Sequence, residues 1–171
     1  MVLAMHYYGD SILRTTATPI TCIDGDLKAL ADEMVVTMRH ENGVGLAATQ
    51  IGRTQKIAVI DPTGGEAVPY ILINPEIVYA SPETVIEDEG CLSVPTIWHP
   101  VKRHKRVSVK ALDLDGKEYT IEDADGRLAR AIQHEVDHLN GILFIDHLSP
   151  MQRRLINSKL KKLAKTGGEQ D

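Results

Sequence analysis

His134-Glu135-Val136-Asp137-His138 is the segment of this chain best equipped for chemistry. Two histidines four residues apart project from one face of a helix and can share one metal ion, with Glu135 beside that face to handle protons for an attacking water. A catalytic site of this type takes three protein ligands and keeps one position open. One common arrangement places a third histidine six residues after the second, but that position is Phe144; another uses a glutamate on a later helix, and beyond His138 the acidic residues are Asp146, Glu169 and Asp171. The third ligand is therefore sought upstream. Cys91, flanked by Gly90 and Ser93 with Pro95 shortly after, is the candidate, and a thiolate beside two imidazoles is chemically reasonable. Taken alone, Cys91 reads first as an ordinary buried cysteine and gains weight only through the helix motif, whose own lesser alternative is two surface histidines with a solvated carboxylate.

Around this motif the spacing predicts the elements that must carry it. Leu128, Ile132 and Leu139 recur at helical intervals from Asp125 to a stop at Asn140-Gly141, which puts both histidines on one helix. An earlier helix is expected where Leu27, Leu30, Ala31, Met34 and Met38 repeat behind Asp24 and Asp26. Between them, 56–60, 68–73, 76–79, 107–112 and 118–121 read as strands, broken at Gly64-Gly65, Asn74-Pro75 and Ser81-Pro82, with a turn at Asp115-Gly116. Ser149-Pro150 opens a final helix over 149–165, with Leu155, Ile156, Leu160 and Leu163 marking one side and 166–171 a frayed tail. Helices bracket a run of strands, so the expected class is α+β, with mainly antiparallel sheets packed around a central HExxH helix.

The 171 residues, 43% apolar, suit one domain over 1–171. Two cysteines are too few for a disulfide framework, and no apolar run or leader-like start suggests a membrane or export, so a cytoplasmic protein without membrane attachment is expected. A net charge of -5 argues against sequence-specific nucleic-acid binding, although the last helix is locally basic.

Three segments carry a resemblance: Gly43-Val44-Gly45-Leu46-Ala47-Ala48-Thr49-Gln50, Glu89-Gly90-Cys91-Leu92-Ser93 and Gln133-His134-Glu135-Val136-Asp137-His138-Leu139. In order and spacing they resemble the peptide deformylases. The resemblance implies removal of the formyl group from the N-terminal formyl-methionine of newly made proteins, releasing formate. It implies Cys91, His134 and His138 as metal ligands, Glu135 as base, and the Gln50 side chain with the Leu92 backbone N–H as oxyanion donors. Val44 and Gly45 would pair with an extended peptide, Gly90 would border the same groove, and Ala131 would line a methionine pocket. Glu89 and Asp137 would orient ligands or pair with Arg103; otherwise they are surface carboxylates.

Two imidazoles and a thiolate suggest zinc. The resemblance instead implies ferrous iron in the cell, with zinc, nickel or cobalt as substitutes in purified protein. It also makes the basic final helix a ribosome-docking element, the other reading being an ordinary amphipathic helix. The stretch from Thr96 to Pro100 departs from the family pattern; within it Trp98 either rims the substrate entrance or steadies a loop. Arg127 and Arg130 are assigned to a solvated helix face. The competing functions are an HExxH metalloprotease, against which the missing downstream ligand counts, and a non-catalytic metal-stabilised module, which would need a fourth ligand.

Overall fold

A computed structural model describes residues 1–167. Helix α1 (Gly25–His40) starts where the Asp24 side chain accepts a hydrogen bond from the Leu27 N–H, satisfying one of the donors a helix leaves unpaired at its start. Five antiparallel strands follow in the spatial order β1 (Gly45–Ala47), β2 (Ile57–Ile60), β3 (Tyr70–Ala80), β6 (Val107–Leu112), β7 (Glu118–Ala124). Strands β4 (Thr84–Cys91) and β5 (Val94–His104) form a separate hairpin. Helices α2 (Gly126–Leu139) and α3 (Pro150–Thr166) complete the α+β fold expected from the sequence.

β2 explains how the metal helix is held. All four of its residues are buried, and because strand side chains alternate, its two faces meet different partners. Ile57 and Val59 pack with Leu27, Leu30, Met34 and Met38 of α1. On the other face Ile60 joins Leu72, Val107 and Val109 against Ala129, Ala131 and Ile132 of α2. Thus α2 runs between the large sheet and the hairpin, as the central helix. The hairpin's inner face, Val94, Ile97 and Val101, packs with Phe144 and with Ile156, Leu160 and Leu163 of α3.

Several expectations need correction. Asn74-Pro75 does not end a strand: β3 continues through it, and the missing proline donor falls at a register shift between Ile73 and Glu76. The hairpin β4–β5 was not foreseen. Leu155 does not share the apolar side of α3 but is 72% exposed. Thr166 is helical, with Gly167 as left-handed cap; the rest of the expected frayed tail, 168–171, lies outside the described residues. No helix of the described residues is long and apolar enough to cross a membrane.

Candidate metal centre and its surroundings

Helical geometry brings His134 and His138 together from successive turns of α2, their Nε2 atoms 3.2 Å apart. Cys91, at the end of β4, places its Sγ 3.2 Å from His138 Nε2. These three donors lie within 4.8 Å of one another and are the one such group of histidine, cysteine or acidic donors among the described residues. Two ligands about 2.1 Å from a metal at a tetrahedral angle stand about 3.4 Å apart, so the trio fits a single cation.

The electrostatics agree with that fit. Burial opposes charge on His134, yet the Cys91 sulfur and the Glu89 carboxylate push its pKa well above the usual imidazole range. Burial and then the His134 charge push His138 well below it. The cluster thus draws one positive charge to itself and resists a second, as a set of converging lone pairs should.

His134 is held by what lies behind it. Its Nδ1–H donates to Glu89 Oε2 at 2.7 Å, which fixes the ring and leaves Nε2 for the ligand position. Glu89 in turn receives Arg103 through Nε at 3.0 Å and Nη2 at 2.7 Å, and Arg130 Nη1 at 2.9 Å. Arg103 Nη1 also donates to Asp137 at 2.6 Å, and His147 meets the same carboxylate at 2.7 Å. The pairing expected between Glu89, Asp137 and Arg103 is present, all three joined in one network. Arg130 corrects the sequence reading: rather than a solvated face, it occupies a largely buried position, donating also to the Val85 and Val101 carbonyls. Its spacing on α2 gave no sign of this, because the acceptors come from a hairpin the sequence did not reveal.

Burial works against charge on Glu89, but the hydrogen bonds from His134 and Arg103 outweigh it and hold the pKa far below the usual carboxylate range. A group whose folded pKa is depressed contributes stability above its unfolded pKa, about 4.3 for Glu, and loses that contribution as pH falls toward the folded value. The metal-free protein should therefore lose stability progressively below about pH 4.3, and its urea midpoint should exceed that of Glu89→Gln by a margin that narrows on acidification. A margin equal at pH 7 and pH 3 would show that Glu89 is not the group responsible.

Glu135 is oriented differently from the histidines on either side. It is 3% exposed and its Oε2 has no hydrogen-bond partner among the described residues. Burial raises its pKa to about 7, with the His134 charge acting the other way, the range suited to a general base. Gly45 makes room for it: a Cβ there would fall 2.7 Å from Glu135 Oε1. Gln50 is 1% exposed and aimed into the site by two contacts, its Oε1 accepting from the Ala47 N–H at 2.9 Å and its Nε2 donating to Ser93 Oγ at 3.1 Å. The same Nε2 stands 3.6 Å from Cys91 Sγ.

These groups open onto a cavity of about 860 Å³. Val44, Gly45, Gln50, Gly90, Leu92 and Ala131 all line it, together with Cys91, His134 and Glu135, while His138 lies beneath, 1% exposed. Leu92 packs its side chain toward Gly43, where a Cβ would come 2.6 Å from Leu92 Cδ1. The space a side chain on Gly90 would fill is taken by the indole of Trp98. Ser93, which steadies Gln50, was missed as a positioning residue; only its place two residues after Cys91 could have suggested it.

An α+β fold that sets an HExxH helix and a cysteine donor at the floor of such a cavity, with a buried free carboxylate beside them, defines a metallohydrolase. Comparison with known proteins narrows the class. Residues 2–154 match the family model for polypeptide deformylase. The chain is 44% identical over 161 residues to a peptide deformylase of Rhizobium meliloti, covering 93% of this chain and 92% of that one. It is 46% identical over 159 residues to a peptide deformylase of Thermotoga sp. strain RQ2, covering 93% and 94%. The crystal structure of a peptide deformylase from Legionella pneumophila, 40% identical, superimposes with a TM-score of 0.91 over 100% of both chains. The chain belongs to the polypeptide deformylase family, enzymes that remove formyl groups from nascent peptides.

Proposed function

We propose that residues 1–171 act as one catalytic unit in which Cys91, His134 and His138 hold a single divalent ion, and that Glu135 moves the protons of formyl-methionine hydrolysis. The observation that carries this reading is the buried Glu135 carboxylate with a free oxygen beside the three donors. When bound, the ion supplies Lewis-acid activation of water and of the formyl carbonyl. Glu135 takes a proton from the water as it attacks the formyl carbon and returns it to the leaving amine, so formate and a free N-terminus result. Gln50 Nε2 and the Leu92 N–H donate to the developing oxyanion. Val44 and Gly45 pair with the extended peptide backbone, Gly90 borders it, and Ala131 forms part of the methionine pocket.

The mixed sulfur and nitrogen donor set accepts several divalent ions. We assign ferrous iron to the protein in the cell, with zinc, nickel or cobalt able to replace it after purification. Metal analysis of protein purified without oxygen, set against its activity, tests that assignment: full activity with zinc and no iron present would contradict it.

The protein works in the cytoplasm on nascent chains and docks on the ribosome through α3. Supporting this, Arg154, Lys159, Lys161, Lys162 and Lys165 are all exposed on that helix, an arrangement attracted to RNA phosphates. Arg153 is excluded from the docking face because it donates to the Ile145 carbonyl and Tyr8 hydroxyl. Replacing the five exposed cations by serine should reduce co-sedimentation with ribosomes, more so at low salt, while peptide turnover stays at the wild-type value. Undiminished co-sedimentation would refute the docking role.

A further inference from the structure

The two donors assigned to the oxyanion come from separate sheets. Gln50 lies in the 3₁₀ turn Ala48–Ile51 that follows β1 of the large sheet, and Leu92 lies in the turn between β4 and β5 of the hairpin. No strand pairing joins the two sheets among the described residues. A group misplaced by about 1 Å can lower a rate by about 10²-fold, so the two turns need a fixed separation.

Residues 6–8 supply it. The His6 N–H donates to the Gln50 carbonyl and the Tyr8 N–H to the Ser93 carbonyl, each at 2.8 Å. Three consecutive residues thus grip both the residue that carries the first donor and the neighbour of the second. The side-chain bond from Gln50 Nε2 to Ser93 Oγ at 3.1 Å ties the same two positions again.

The segment is itself pinned at both ends. Leu3 and Met5 pack against the apolar cluster of α1 and β2, whereas Tyr8 and Ile12 pack against the cluster beneath the hairpin. Gly52 closes the Gln50 turn with a φ of +77°, and a Cβ on it would fall 2.6 Å from His6 Nε2, so the imidazole covers the end of that turn. The His6 Nδ1–H donates to Asp10 Oδ2 at 2.6 Å, which holds the ring there. At Gly9 a Cβ would come 2.8 Å from the Ala164 Cα, so the chain leaves the site pressed on the backbone of α3.

We infer that residues 6–8 form a splint that positions the two oxyanion donors against each other, with the bond from the Tyr8 N–H to the Ser93 carbonyl as its decisive link. The inference rests on the deformylase reading, which makes Gln50 and the Leu92 N–H the donors. Through these bonds the splint acts by position alone. Its loss leaves both donors present but misaligned, so the effect falls on kcat, where the oxyanion develops, and spares KM.

Tyr8→Pro removes the N–H together with the ring and Tyr8→Ala removes the ring alone, so comparing the two isolates the bond. In iron-loaded protein, kcat for formate release should be about 10- to 100-fold lower in Tyr8→Pro than in Tyr8→Ala, with KM alike and the visible spectrum of the cobalt-loaded forms unchanged. Combined with Gln50→Ala, which leaves a single donor with nothing to be aligned to, the difference should shrink to about threefold or less. A change that merely loosened the fold would act by the same factor in both backgrounds. An ester in place of the amide between Tyr7 and Tyr8 deletes the same N–H with the ring kept, and should reproduce the loss even where proline prevents folding. Equal kcat in the two Tyr8 variants, a change confined to KM, equal factors in the two backgrounds, or wild-type turnover by the ester-linked protein would overturn the splint while leaving deformylation intact. Absence of formate from the wild type would instead overturn the deformylase reading, and the splint with it.

Discussion

Glu135→Gln should lower formate release by about 10²- to 10⁴-fold while leaving the metal content unchanged. The substitution conserves volume, which matters because Glu135 is buried against Gly45, where even a methyl group would fall 2.7 Å from its Oε1. What it removes is the ability to accept a proton from water and deliver it to the leaving amine. Glu135 is not one of the three converging donors, so metal retention separates loss of the base from loss of the centre. The wild type should also show an acidic limb in kcat/KM, because the base must be ionised to act; burial alone places that limb near pH 7, and a bound cation would favour the carboxylate and move it lower. Retention of more than a tenth of wild-type turnover by the metal-loaded variant would assign proton transfer to another group.

Arg103→Leu should destabilise the fold by about 3–5 kcal/mol, the range for removing one partner of a buried ion pair. Arg103 is 5% exposed and satisfies Glu89 with two nitrogens and Asp137 with the third. Without it the two carboxylates keep only Arg130, His134 and His147 as partners. Glu89 would lose the hold that fixes the His134 ring, so metal affinity should fall with stability. Arg103→Lys should restore little, because an ammonium cannot present the planar fork that reaches both carboxylates. Urea unfolding with and without bound metal checks both parts; a loss under about 1 kcal/mol would mean that Glu89 is neutralised by Arg130 alone.

The sequence made the histidine half of the centre legible through helical periodicity. A 3.6-residue repeat from Leu128 to Leu139 places His134 and His138 on one face whatever the helix packs against, and α1 follows from the same rule through Leu27, Leu30, Met34 and Met38. Cys91 became visible only by elimination of downstream ligands, and Gln50 and Leu92 only through family resemblance, since neither has a local pattern that marks it.

The hairpin stayed hidden for physical reasons. Residues 87–89 form an acidic run and β5 contains Pro95 and Pro100, all poor strand formers when judged locally. The strands exist because Val94, Ile97 and Val101 are buried beneath α3 and Phe144, a long-range gain that residue propensities do not carry. Missing the hairpin made Arg130 look solvated, because the Val85 and Val101 carbonyls and Glu89 that it meets all come from that hairpin. Leu155 shows the opposite error: it is apolar and near the right spacing, but on α3 Ile156, Leu160 and Leu163 suffice to cover the hairpin and Leu155 faces outward.

The most direct test of the account is formate release from a short formyl-methionyl peptide by protein prepared without oxygen and loaded with ferrous iron. Release should require close to one metal equivalent per chain, vanish on chelation, return when iron is restored, and be abolished in Cys91→Ala. Absence of formate from folded protein carrying one metal ion would contradict the assignment of Cys91, His134, His138 and Glu135 to deformylation.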